Sequence, residues 1–404
     1  MTSIILYLYI IIVCYTPLVS KLLPKFETLG IHYEWFLFFT LIIAFVPYVL
    51  LIKRHFKLFN AWIFFIAFYG MVAIASVYWS TYSYDMKTMR ELFRSVIVPL
   101  CISMFALNIF EEKQNVYSYI RHFIIASFLL SLVSIYQILS GVGVMTTDLG
   151  AARAVGTLNN PNALAIFLVL SIPCILYAIE KRMFPKMIGL IIAASVVAGV
   201  ISTVSRKGIV TMVLAFFLYY LLQKKFKKVL VVGAIFVLIS LMVSGYAMIT
   251  DRFAEKALNK DFISKKNMAY AGWVLFKKSP LIGTGYRGYY ENFWKSFPKQ
   301  HLKKFDAHNM YVTALSDYGL IGFMPFIAIF IYPLLASFKD IRAKPHIGDV
   351  YTRDMGIICI VSILPFMISG YFAGGLIYEY VYFSIIYSNA AIVLSGHNID
   401  NSSE

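Results

Sequence analysis

His308 is the side chain in this sequence best suited to moving a proton. It stands in Asp306-Ala-His-Asn-Met-Tyr311, where a long apolar run begins. Asp306 is placed to cap a helix there, and Tyr311 follows about one turn on. A neutral imidazole can take a proton from an attacking hydroxyl near neutral pH, although the same position suits a His that only anchors at an interface. Three arginines can hold an anion. Arg206 sits in Ser202-Thr-Val-Ser-Arg-Lys207, squeezed between two apolar runs. Arg153 opens Arg153-Ala-Val-Gly-Thr-Leu-Asn-Asn-Pro-Asn162, a short loop punctuated by Gly and Pro, and Arg287 lies in a long basic segment. A guanidinium stays charged and grips two phosphate oxygens at once. So close to hydrocarbon, Arg206 is costly unless it snorkels, pairs or lines a wet cavity.

Other chemistries find less support. No D-x-D or comparable carboxylate spacing marks a metal site, so neither metal nor cofactor is expected. Asp317 and Glu379 fall near the ends of apolar runs, where each can partner an arginine. Gly283-Thr-Gly-Tyr-Arg-Gly288 spells G-x-G-x-x-G, but no βαβ unit surrounds it and no acidic residue follows at the dinucleotide spacing. Structural turn glycines after Pro280 are the better reading, with backbone amides that can still face an anion. Cys14, Cys101, Cys174 and Cys359 are scattered singly through apolar runs and suggest neither disulfide nor metal.

The elements that must position these residues are membrane spans. The 404-residue chain is 60% hydrophobic and 14% charged, with a mean hydropathy of +0.75. Runs of about 20 apolar residues cross a bilayer as helices. We read an all-α polytopic membrane protein with about 12 transmembrane helices and one large exterior loop. The spans fall near 3–20, 31–52, 58–79, 95–110, 123–143, 163–180, 187–205, 208–223, 229–249, 310–338, 355–374 and 376–396. The chain divides into 1–249 (nine spans with short loops), 250–309 (the loop), 310–396 (three spans) and the tail 397–404. With both termini inside, interior loops carry twice the basic residues of the short exterior ones. That places the long loop outside.

The net charge of +16 is spread over loops rather than gathered on one soluble face, which argues against nucleic acid and for lipid and an anionic substrate. Between Thr250 and Asn309 the loop holds twelve basic and five acidic residues. Tyr270, Trp273, Phe276, Tyr286, Tyr289, Tyr290, Phe293, Trp294, Phe297 and Phe305 are interleaved with them. Aromatics beside cations suit sugar rings next to a diphosphate, and equally a lid resting on the interface.

Three stretches in this order resemble the O-antigen polymerase and O-antigen ligase superfamily of bacterial envelope glycosyltransferases. They are Arg153 to Ala165, Val204-Ser-Arg-Lys-Gly208, and the long loop with Ser279-Pro-Leu-Ile-Gly-Thr-Gly285 and His308-Asn-Met-Tyr to Gly322. Where that family carries a further arginine before the loop proline, this chain reads Ser264-Lys-Lys-Asn267, so Lys265 or Lys266 would stand in with charge but without the fork. The resemblance implies the C-type membrane glycosyltransferase architecture, in the bacterial inner membrane with the loop periplasmic. It implies an undecaprenyl-diphosphate-linked oligosaccharide as donor and inverting transfer. His308 and Arg206 would then be catalytic, with Arg153, Arg206, Arg287, Lys265, Lys266, Asn309, Tyr311 and Asn162 binding diphosphate or glycan. Polymerisation of repeat units is the leading reading, ligation to a lipid A core the second, and a lipid-linked glycan transporter or flippase the alternative of another class. A chain-length-regulating co-polymerase is the protein partner that the first reading allows for.

Overall fold

A computed structural model describes residues 2–19, 33–51, 57, 60–80, 86–146, 152–231, 233–234, 255–296, 307–342, 349–371 and 380–396. The first helix, α1, begins at Thr2–Ile10, loosens into a π-helical turn at Ile11–Tyr15 and ends at Thr16–Val19. It is followed by α2 (Tyr33–Leu51), α3 (Ala61–Ala75, then a 3₁₀ turn at Ser76–Trp79), α4 (Met86–Ile109) and α5 (Lys113–Ser140). A short hairpin, β1 (Val144–Thr146) with β2 (Ala152–Ala154), precedes α6 (Pro161–Glu180), α7 (Lys186–Ser202) and α8 (Arg206–Leu222). Then come α9 (Glu255–Lys278), α10 (Gly288–Ser296), α11 (Met310–Arg342), α12 (Asp349–Gly370) and α13 (Tyr380–Gly396).

This is an all-α membrane protein: six helices among the described residues are long and apolar enough to cross a bilayer. Of the apolar runs read from sequence, the one at 229–249 lies almost wholly outside the described residues. The run at 95–110 proves longer, because α4 begins at Met86 and takes in Glu91 and Arg94. The segment 250–309 is more than a loop, since it contains α9 and α10. The stretch holding Arg153 is partly a strand, in antiparallel register with Met145 opposite Arg153.

Local chemistry starts the helices cleanly. Asn160 caps α6 through bonds from Asn162 N and Ala163 N, with Pro161 in the first turn. Asn60 caps α3 through Ile63 N, and Ser205 caps α8 through Gly208 N. Apart from its two ends α6 is buried on all sides, as a helix with no polar face must be when protein surrounds it. Small residues let its neighbours approach: a Cβ on Gly199 (α7) would press on Ser131 and Leu168, and one on Gly208 (α8) would strike Ala165. On the other side, α3 and α11 run antiparallel, joined where Trp62 Nε1 donates to Ile329 O at 2.9 Å. Helix α12 packs against α6, α8, α11 and α13, and so ties the two halves together.

Successive helices reverse direction, so certain termini share one end of the bundle. These are the C-termini of α3, α5, α7 and α12 and the N-termini of α4, α6, α8 and α11. Cross-contacts at that end include Arg153 with Thr203, Gln137 with Gly156 and Tyr311 with Met367.

Candidate functional site

At that end the motif residues form two groups. The first is built on β2 and the starts of α6 and α8. Gln137, near the end of α5, accepts from Val155 N (3.1 Å) and Gly156 N (2.8 Å) and donates back to Gly156 O (3.1 Å), fixing the turn after β2. Thr157 Oγ1 donates to Pro17 O from α1. Arg153 is then held 8% exposed, its Nε donating to Thr203 O at 2.9 Å and Nη2 to Asn162 Oδ1 at 3.3 Å. Asn162 Oδ1 also accepts from Ser205 Oγ at 2.8 Å. Arg153 and Asn162, both expected to touch substrate, here clasp α6 to the α7–α8 turn. That turn contains Val204 at φ 47, an unusual conformation for a β-branched residue and the kind that surrounding structure must impose. Arg206 follows as the first residue of α8 and is half-buried.

The second group is built on α11. Its helix breaks at Gly319 (φ 58, ψ −161), and the Pro280–Gly285 turn mends the break. Thr284 N and Gly285 N donate to Ser316 O and Asp317 O, each at 2.8 Å. Leu320 N and Ile321 N donate to Pro280 O (2.9 Å) and Leu281 O (3.0 Å). The two backbones lie so close that a Cβ on Gly283 would collide with Asp317, and one on Gly319 with Leu281 O. Within the G-x-G-x-x-G stretch the Thr284 and Gly285 amides therefore bond α11's freed carbonyls, and Gly283 N and Gly288 N bond within the turn, to Ser279 O and Gly285 O. Asp317, 3% exposed, accepts from Tyr289 N at 2.7 Å and so caps α10 from outside the helix.

The same turn docks onto α3 and α4. Tyr286 N donates to Ser76 Oγ at 3.0 Å, and Ser80 Oγ donates to Tyr286 O at 2.7 Å. Arg287 (φ 54) places Nη2 3.3 Å from Glu91 Oε2, both side chains being 17% exposed. The carboxylate paired with Arg287 is thus Glu91 on α4, which the sequence reading did not single out. Asp317, expected to partner an arginine, accepts the Tyr289 amide at the bond just given.

At the head of α11 the cap is Asn309, whose Oδ1 accepts from Tyr311 N (3.0 Å) and Val312 N (3.1 Å). Asp306, expected in that role, lies outside the described residues, as does Glu379. His308 immediately precedes the cap, exposed and at φ 47. Tyr311 Oη donates to Met367 O of α12 at 2.7 Å. Lys266 is exposed on α9, whereas the side chain of Lys265 lies outside the described residues. The aromatics divide in two. Tyr289 and Phe293 join Met268, Ala271, Leu275 and Ala307 in a small separate core. Tyr270 and Trp273 remain exposed, one turn apart on α9, with Lys277 Nζ 5.6 Å from the Trp273 ring.

Of the expected site residues, Arg153, Asn162 and Arg206 come together, His308, Asn309 and Tyr311 follow one another at the head of α11, and Arg287 lies beside Glu91 of α4. Helix α12 packs against both α8 and α11 between the groups. The arrangement offers arginines on two sides, an exposed imidazole held in a left-handed conformation, and outward-facing rings beside cations. Among known proteins, a family model described as O-antigen ligase matches residues 190–327. The match takes in the 204–208 stretch, the Pro280–Gly285 turn and α11 past its break, and supports the O-antigen polymerase and ligase superfamily. No curated protein matches the chain.

Proposed function

We propose that this protein is an inverting membrane glycosyltransferase that polymerises undecaprenyl-diphosphate-linked oligosaccharide units at the outer face of the bacterial inner membrane. In this reading the chain spans the bilayer twelve times with both termini inside, and segment 250–309 lies outside. The observation that carries the proposal is the gathering of the Arg206 and His308 stretches at one end of the bundle, within a segment similar to a family of lipid-linked glycan enzymes.

The acceptor hydroxyl oxygen attacks the anomeric carbon of the donor glycan. As that bond forms, the bond from the anomeric carbon to the diphosphate oxygen breaks, and the lipid diphosphate leaves with the electron pair. His308 takes the hydroxyl proton. Diphosphate is a good leaving group, so the protein mainly has to stabilise the charge growing on it, and Arg206 and Arg287 do this with Lys265 or Lys266. Arg153 and Asn162 hold the α8 terminus in place beside that charge, Asn309 and Tyr311 fix the head of α11, and Tyr270 and Trp273 stack on sugar rings.

Ligation of finished glycan to a lipid A core or another surface acceptor is the second reading, favoured by the description of the matching family model. Purified protein in liposomes, supplied with one lipid-linked oligosaccharide and no other acceptor, separates the two. A ladder of longer glycans means polymerase. Transfer only after a lipid A core is added means ligase. No product in either case removes the enzyme reading and leaves a transporter or flippase of lipid-linked glycans.

A further inference from the structure

The other end of the bundle holds a second polar site, independent of the chemistry above. There the C-termini of α6 and α8 meet the first turns of α12 around a cavity of about 330 Å³, lined by Glu180, Lys181, Gln223, Lys225, Arg353 and Asp354. Two of its three cations have carboxylate partners. Lys225 Nζ lies 2.6 Å from Glu180 Oε1, with Lys228 a further 3.7 Å contact, and Lys181 Nζ lies 2.7 Å from Asp354 Oδ2. Arg353 is different: its Nε is buried and meets no acceptor among the described residues. Arg353 as a whole is half-buried, and a partly desolvated guanidinium at a cavity favours an anion that its fork can grip.

The missing acceptor must be anionic, because the cavity presents three cations against two carboxylates. It must offer several oxygens, because a guanidinium fork takes two while Lys181 and Lys225 stand beside it. We propose that this cavity binds a phosphate group, either the phosphodiester of an anionic lipid headgroup or free phosphate. Exposed Lys224 on the same rim would draw such groups in without contacting them inside.

Hydrogen exchange of residues 349–357 and 223–228, in full-length protein held in phosphatidylcholine nanodiscs, tests this. Adding phosphatidylglycerol, or inorganic phosphate without it, is expected to slow exchange in both segments. Slowing by the lipid alone identifies a headgroup, and slowing by inorganic phosphate identifies a free-ion site. R353Q should abolish the slowing, R353K should weaken it because the fork is lost, and K227Q should leave it intact. If R353Q does not fold, R353K against K227Q makes the same comparison. Absence of slowing with either addition, or equal slowing in wild type and the Arg353 variants, overturns the proposal.

Discussion

A proton-transfer role for His308 depends on its reaching a substrate hydroxyl, and the structure places it exposed at the helix head, just before the Asn309 cap. General base catalysis contributes roughly 10²–10⁴-fold. His308→Ala is therefore expected to lower turnover by about that factor while donor binding and membrane insertion persist. Wild-type turnover in the variant would leave His308 as an interfacial anchor. For Arg206, geometry should matter more than charge. Arg206→Lys keeps the cation and loses the fork, so turnover should fall sharply, whereas Lys266→Arg should be tolerated. An active Arg206→Lys enzyme reduces Arg206 to a topology anchor. At this scale the residue types were legible, and the contacts among them were not. Arg153 and Asn162 carry the right donors and acceptors for a substrate, yet they bond across the α6 and α8 starts. A linear motif cannot tell a ligand from a clasp. Glu91 left no mark because its partner is far away in the chain.

At the scale of elements, the break in α11 determines most of the site's shape. Gly319 at φ 58 frees carbonyls and amides that a helix would pair, and the Pro280–Gly285 turn pairs them instead. Gly319→Ala places a side chain at positive φ and against Leu281 O. It should cost on the order of 1–3 kcal/mol from the backbone alone, read as a lower Tm in detergent. An unchanged Tm would mean that the break is not needed for stability. Asn309→Ala is milder, about 1 kcal/mol for a lost cap. Long apolar runs announced the helices because a bilayer or a crowded interior demands such runs. The break was hidden for the same reason: Gly319 lies in a run that is uncharged from Tyr318 to Phe338, and a hydropathy pattern is blind to one residue's φ. The helices α9 and α10 were missed because they are amphipathic and charged, and only their small core of Met268, Leu275, Tyr289 and Phe293 shows why they are ordered.

At the scale of the whole molecule the two ends are built differently. The end with the motif residues is closed by backbone hydrogen bonds and caps, and includes the Arg287–Glu91 ion pair. The opposite end is laced by ion pairs of lysine with carboxylate: Lys57–Glu111, Lys181–Asp354 and Lys225–Glu180. Lysine-rich short loops face the cytoplasm, and this asymmetry argues that the lysine-laced end lies inside and the arginine sites outside. Single cysteines decide it. In a background with Cys101 replaced by Ser (the other three native cysteines are buried), Lys266→Cys should react with a membrane-impermeant maleimide in intact spheroplasts. Lys227→Cys should react only after the membrane is permeabilised. The reverse pattern would turn the molecule over. The His308 end would then face the cytoplasm, where a donor already carried to the outer leaflet cannot reach it, and the proposed transfer would fail on access alone.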